Sequence, residues 1–300
     1  MILSACCSVF CSSGPRHLPQ NPGVPANPPA HANCKREEGA SGVASVKKRS
    51  RAEVVLLGAL PGAQKKQINY SLDKIENIFL RLCPDIVLME IPMNWLNSRG
   101  EPSSELRSYL ESENQSETTV AWNYCEHNKL KCVPYDINDR SDFYRDPAKQ
   151  KCESLITKAF EVIDSQASEK WGGLQQAKIN FLHCAQTTPK VVNSSVCDEI
   201  KKRWDALSTP FIEDYVNKHH PELNDCSKQI MEFEDRRNRV MAENICHHAK
   251  ANPNARILVT VGFEHRPYLK QHLTESCPDI DLREYWKVLE QAQEAQNPPR

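Results

Sequence analysis

The sequence predicts an α/β domain: a mostly parallel sheet built from two related β-α-β halves, covered by helices and carrying a helical insertion in its middle. Three observations predict it. Short β-prone apolar runs at 54–57, 86–89, 132–135 and 257–261 lead directly into a glycine or a carboxylate, namely Gly58, Glu90, Asp136 and Gly262. Stretches of helical apolar spacing separate the runs, which is the grammar of a parallel sheet with crossover helices. A phrase also recurs. Gly58-Ala59-Leu60-Pro61 is followed by Cys83-Pro84-Asp85-Ile86, and Gly262-Phe263-Glu264-His265 is followed by Cys277-Pro278-Asp279-Ile280. Both copies read strand, turn, helix, strand, as a duplicated half would.

Taken in order, residues 1–52 read as a disordered tail. Its proline-rich centre and the basic run Lys47-Lys48-Arg49-Ser50-Arg51 bury too little apolar surface to offset ordering entropy. The opening MILSACCSVFC lacks the charged start and apolar length of a signal peptide. Its Cys6, Cys7 and Cys11 would allow membrane association by acylation. A single domain then spans 53–290. After the first strand, Ile68, Leu72, Ile75, Ile78, Phe79 and Leu82 form one helical stripe. Helices follow the second strand at 103–113 and 117–128, and the third strand ends at Asp136. The insertion covers about 147–250. Its clearest helix, 227–250, keeps Ile230, Phe233, Val240, Met241, Ile245 and Ala249 on one stripe. Beyond 257–261, a helix runs from Tyr268 to Leu273, a last strand occupies 279–285, and 291–300 is a frayed end.

Composition narrows the function classes. The chain has 300 residues, 26% charged and 39% hydrophobic, with a formal net charge of −1. That balance gives no electrostatic case for nucleic acid. No apolar run approaches the ~20 residues of a transmembrane helix. The 13 cysteines form no CxxC pair, so a zinc ribbon or thioredoxin-type site is unsupported. Several lie in apolar periodic segments, where a free thiol acts as a small hydrophobe, and a reducing, cytoplasmic setting is expected. Sequons at Asn69, Asn114 and Asn193 are weak evidence the other way.

The candidate chemistry sits where the predicted strands end, since ligands of open α/β sheets bind at strand carboxyl ends. His265 follows a strand-ending glycine, which permits a sharp turn and close ligand approach. Its imidazole suits metal binding or proton transfer, or is simply a loop histidine. Glu90 follows four apolar residues, so its carboxylate needs a partner: a metal, an arginine or a helix N-terminus. On the long helix Arg236 and Arg239 share a face and Arg237 points elsewhere. One arginine can reach toward Glu90, or all three form a solvated face with neighbouring acids. His219-His220 and His247-His248 lack metal-ligand spacing and are assigned to no site.

These pieces together resemble the TraB/Tiki superfamily, with its ChaN-like haem-binding and erythromycin esterase-like relatives. The likeness is carried by Gly58-Ala59-Leu60-Pro61, Val87-Leu88-Met89-Glu90, the helix segment from Arg237-Asn238-Arg239 through Met241 to Ile245, and Val261-Gly262-Phe263-Glu264-His265. Val133-Pro134-Tyr135-Asp136 looks like the third strand, whose aspartate faces the cleft. The resemblance implies a metal-dependent protease or an esterase acting on a peptide or small-molecule substrate. Glu90, Arg237 and His265 would be catalytic, and Gly58, Asp136, Gly262 and Glu264 would line the substrate. A divalent metal, or haem as the alternative, is the implied cofactor. The departure is Pro61, which stands where the first Gly-x-x-His motif has its histidine. Proline offers no ligand, so a histidine from the helical middle, such as His183, would have to replace it. The second expectation is therefore a non-catalytic member that keeps the cleft to bind a small molecule, haem or a protein partner.

Overall fold

A computed structural model describes residues 49–60, 69–111, 116–161 and 167–296. The tail with Cys6, Cys7 and Cys11, Pro61 and Asn114 lie outside the described residues. In chain order the main elements are β1 (Glu53–Ala59), α1 (Leu72–Leu82), β2 (Ile86–Pro92), α2 (Ser104–Glu111), α3 (Glu117–Asn128), β3 (Cys132–Asp136), α4 (Arg140–Arg145), α5 (Pro147–Glu161), α6 (Ala167–Ala185), α7 (Pro189–Val192), α8 (Ser195–Phe211), α9 (Asn224–Ala251), β4 (Arg256–Gly262), α10 (Arg266–Ser276), β5 (Asp281–Arg283) and α11 (Tyr285–Gln296).

The fold is α/β, and its sheet is parallel throughout, in the order β3-β2-β4-β1-β5. Because both faces are covered, the central strands read as continuous apolar runs. On one face Val55, Leu57, Val87 and Met89 pack with Ile75, Ile78 and Phe79 of α1. On the other, Val54, Leu56, Leu88 and Val259 pack with Met241 and Ile245 of α9 and with Leu269 and Leu273 of α10.

The repeated phrase has a structural counterpart. β1 and β4 pair at the centre, Val54 against Ile257. The second strand of each half pairs with the first strand of the other: β2 with β4 and β5 with β1. Helix α1 follows β1 onto one face, and α10 follows β4 onto the opposite face. A two-fold relation about an axis along the strands, between β1 and β4, produces this arrangement. β5 is shorter than expected, because Tyr285 already belongs to α11.

The expected insertion separates into two parts. Helices α5 to α8 build one side of the core around Ile156, Phe160, Leu174, Phe181 and Trp204. Pro210, which lacks a donor N–H, lies near the end of α8, and the π-helical turn Ile212–Val216 follows. Helix α9 instead crosses to the other sheet face, where its Met241-Ile245-Ala249 stripe lies under β2, β3 and β4.

The expectation of free thiols is corrected. Cys125–Cys132, Cys152–Cys226, Cys184–Cys197 and Cys246–Cys277 are disulfides. Their sequence separations run from 7 to 74 residues, so only packing of separate elements brings the partners together. Cysteine spacing alone could not show it, and the cytoplasmic expectation loses its basis with the free thiols. No helix among the described residues is long and apolar enough to cross a membrane. Of the sequons, Asn193 is fully buried and Asn69 is exposed.

Candidate functional site

β2 leads to β3 on one side and β4 leads to β5 on the other, so a crevice opens between the carboxyl ends of β2 and β4. Four of the expected residues converge there. Glu90 ends β2, Asp136 ends β3, Arg237 projects from α9, and His265 sits in the turn after β4. Arg237 is 2% exposed and forms the hub. Its Nε donates to Asp136 Oδ1 at 3.0 Å and its Nη2 to Asp136 Oδ2 at 2.8 Å. Nη2 also donates to Glu90 Oε1 at 2.5 Å, and Nη1 lies 3.0 Å from Nε2 of His265. The helical stripe explains the choice among three arginines. With Met241 and Ile245 facing the sheet, Arg237 falls on the same inner side, one turn before Met241. Arg236 pairs instead with Asp139 at the surface, and Arg239 lines a separate groove between α9 and α10.

Every acceptor around Arg237 is in use. The second oxygen of Glu90 takes the backbone N–H of Gly262 at 2.5 Å. Asp136 Oδ1 also takes the N–H of Ile137 at 2.8 Å. Its Oδ2 also takes Nη1 of Arg140 at 3.0 Å. Burial works against charge on Asp136, but Arg237 and Arg140 outweigh it and hold the carboxyl below the ordinary range. The contacts of His265 define its tautomer. Nδ1 lies 2.8 Å from Oδ1 of Asn238, so Nδ1 carries the proton and Nε2 accepts from the guanidinium. Burial, reinforced by Arg237, pushes this histidine well below its ordinary value and keeps the ring neutral.

Arg140, Asn238 and Tyr144 complete the cluster, and sequence reasoning missed them. Arg140 also donates to the backbone carbonyl of Glu90 at 2.8 Å. Tyr144 donates to Glu234 and receives Nη1 of Arg237 at 3.3 Å. The signals are slight: Arg140 stands four residues after Asp136, and Asn238 directly follows Arg237. Glu264 is half-buried beside His265, and burial pushes its carboxyl up to about 7.

The other half ends differently. Gly58 donates its N–H to Oδ1 of Asn193 at 2.6 Å. Nδ2 of Asn193 donates to the carbonyls of Gly58 at 3.2 Å and Pro189 at 3.0 Å. The Tyr70 hydroxyl closes the set by donating to the Gly58 carbonyl at 2.7 Å. A Cβ on Gly58 would stand 3.1 Å from the Phe263 backbone and 3.2 Å from Asn193, so this glycine allows two strand ends to meet closely. His183 is exposed on α6 and does not reach Gly58.

The donor set does not fit a divalent metal. Among the described residues no three His, Cys, Asp or Glu side chains are grouped to hold one. The guanidinium of Arg237 already occupies the centre of Glu90, Asp136 and His265, where a cation would draw on the same atoms. The cavity beside Glu90 measures about 260 Å³ and is lined in part by Trp95, Tyr109, Glu117, Arg140 and Tyr144. It is too small for a haem macrocycle. No family model, curated protein or solved structure matches the chain, so the likeness to the TraB/Tiki superfamily rests on the short motifs alone.

Proposed function

We propose that this chain is a non-catalytic binding protein, which keeps a TraB/Tiki-like cleft and takes a small molecule in the cavity beside Glu90 and Arg140. One observation carries the reading: both nitrogens of His265 and all four carboxylate oxygens of Glu90 and Asp136 are engaged inside the protein. A hydrolytic base must present a free lone pair to water or to the substrate. Nε2 of His265 faces a permanent cation instead, and a ring held neutral by burial is a weak base at neutral pH. The same lone pair is the one a metal or a haem iron would need. Arg237 serves as the buried counter-ion of Glu90 and Asp136. The disulfides among the described residues support an oxidising compartment as the place of work.

The test is hydrolysis and metal content of the purified full chain. An ester such as p-nitrophenyl acetate and a fluorogenic peptide are incubated with the protein, with and without Mn²⁺, Co²⁺ or Zn²⁺. The expected result is no turnover that depends on His265, no stoichiometric metal and no Soret band. Hydrolysis abolished by His265→Ala, or one bound metal per chain that the same substitution removes, would overturn the reading.

A further inference from the structure

The class of ligand is written in the cavity walls, and one residue there differs from all the cluster residues. Glu117 opens helix α3 and lines the cavity beside Glu90. It is 6% exposed, and its Oε2 has no hydrogen-bond partner. A buried carboxyl oxygen left without a donor is costly, and native proteins satisfy nearly all such atoms. Burial pushes this group up to about 7. The carboxylates around Arg237 are satisfied from within the protein; Glu117 asks for a donor from outside.

The remaining walls complement it. Arg140 leaves 31% of its side chain exposed while Nη1 holds Asp136 and the Glu90 carbonyl. Arg145, at the other end of α4, also lines the cavity and is exposed. Trp95 and Tyr109 supply an aromatic side, their rings 5.9 Å apart and tilted by 51°. The cavity therefore joins a donor-seeking carboxyl, two guanidinium groups and an aromatic wall in about 260 Å³. That volume is just below the ~300–1,000 Å³ of pockets for drug-sized ligands.

We propose that this cavity binds a small amphoteric carboxylate of the α-amino-acid class, its amine donating to Glu117, its carboxylate paired with Arg140 and Arg145, and its side chain against Trp95 and Tyr109. The inference rests on the reading of this cleft as a binding site and deepens it. A plain carboxylate would leave Glu117 unsatisfied, and a plain amine would leave Arg145 unused. Guanidinium–carboxylate pairing is directional and strong, so the arginines orient the ligand and Glu117 selects for its donor.

The experiment is a calorimetric titration of the full chain with the proteinogenic L-amino acids at millimolar concentration. Each binder is compared with its des-amino acid and its decarboxylated amine, for example phenylalanine with 3-phenylpropionate and phenethylamine. At least one amino acid should bind saturably, with both truncated analogues weaker by ~10-fold or more, equivalent to about 1.4 kcal/mol. Glu117→Gln keeps the shape and should erase the preference for the amine while leaving des-amino acid affinity unchanged. Arg145→Ala should weaken the amino acid and the des-amino acid alike. An unchanged unfolding midpoint, or a higher one, confirms that each variant is folded. No saturable binding, or amino-acid affinity unaffected by Glu117→Gln, overturns the inference and leaves Glu117 satisfied by an ordered water only. Ester hydrolysis by a chain that still binds amino acids would remove the non-catalytic reading alone. Absence of both binding and turnover would remove this inference alone.

Discussion

The two duplicated halves finish their central strands on similar backbones with opposite chemistry. At the end of β4, the N–H of Gly262 meets a charged oxygen of Glu90 at 2.5 Å. At the end of β1, the N–H of Gly58 meets the neutral amide oxygen of Asn193 at 2.6 Å. The neutral end is self-contained, because one amide supplies an acceptor and two donors and uses them all locally. The charged end cannot close on itself. A buried carboxylate demands a counter-charge, so Glu90 recruits Arg237, which gathers Asp136 and His265. Each end is also stapled. Cys184–Cys197 closes the segment that carries Asn193, and Cys246–Cys277 ties the helix of Arg237 to the end of the helix that follows His265. The difference teaches that a shared strand ending can serve as a plain clasp or as the seed of a charged network.

The comparison breaks most sharply at Arg237. Arg237→Ala takes the main counter-ion from buried Glu90 and leaves Asp136 to Arg140, and should cost about 3–5 kcal/mol in urea denaturation. Arg237→Lys should recover less than half of that loss, because an ammonium cannot span Asp136, Glu90 and His265 together. The staples come next. Replacing both cysteines of either pair with alanine should cost on the order of 3 kcal/mol by the loop-closure argument. Native-state hydrogen exchange should show loss of Cys184–Cys197 loosening the Gly58 amide, and loss of Cys246–Cys277 loosening the Gly262 amide. Asn193→Ala should cost about 1–3 kcal/mol, the price of leaving the Gly58 N–H and carbonyl short of partners.

The smallest expected effect separates the halves by pH. Below about 6.5 the unfolded chain protonates His265, while the folded chain holds it neutral far below that value. The unfolded state then binds more protons, so stability is present above this pH and falls as the pH drops, by at most about 1.4 kcal/mol per pH unit. Exchange at the Gly262 amide should accelerate between pH 7 and pH 5 beyond its intrinsic change, while Gly58 follows only the intrinsic rate. Equal behaviour of the two amides would remove the distinction. His265→Gln, which cannot titrate, should flatten the Gly262 response.

Much of the fold was legible because its signals are local. The runs at 54–57, 86–89, 132–135 and 257–261 became β1 to β4 within two or three residues of their expected ends, since apolar continuity reports burial on both faces. Glu90, Asp136 and Gly262 are visible as polar or flexible punctuation after those runs, whereas the helix pattern leaves three arginines open and only the family resemblance singles out Arg237. Asn193 was read only as a sequon. Its contact with Gly58 spans 135 positions, and nothing near Asn193 in the chain marks it as a strand clasp. Arg140 is hidden too, since a cation four residues after an aspartate is common in any polar segment. The cysteines misled because thiols and disulfides occupy the same apolar positions.

By itself the sequence determined the layers, because strand and helix periodicity, and the glycine or carboxylate ending each strand, are properties of neighbouring residues. It also placed the candidate site at the carboxyl edge of the sheet. Only the tertiary structure decided what that site contains. Whether Glu90 meets a metal, a water or Arg237, whether Nε2 of His265 stays free, and which cysteines pair depend on contacts between separate elements, from 7 to 172 residues apart. Those contacts are selected by packing and by the cost of burying unpaired charge, and neither can be read along the chain.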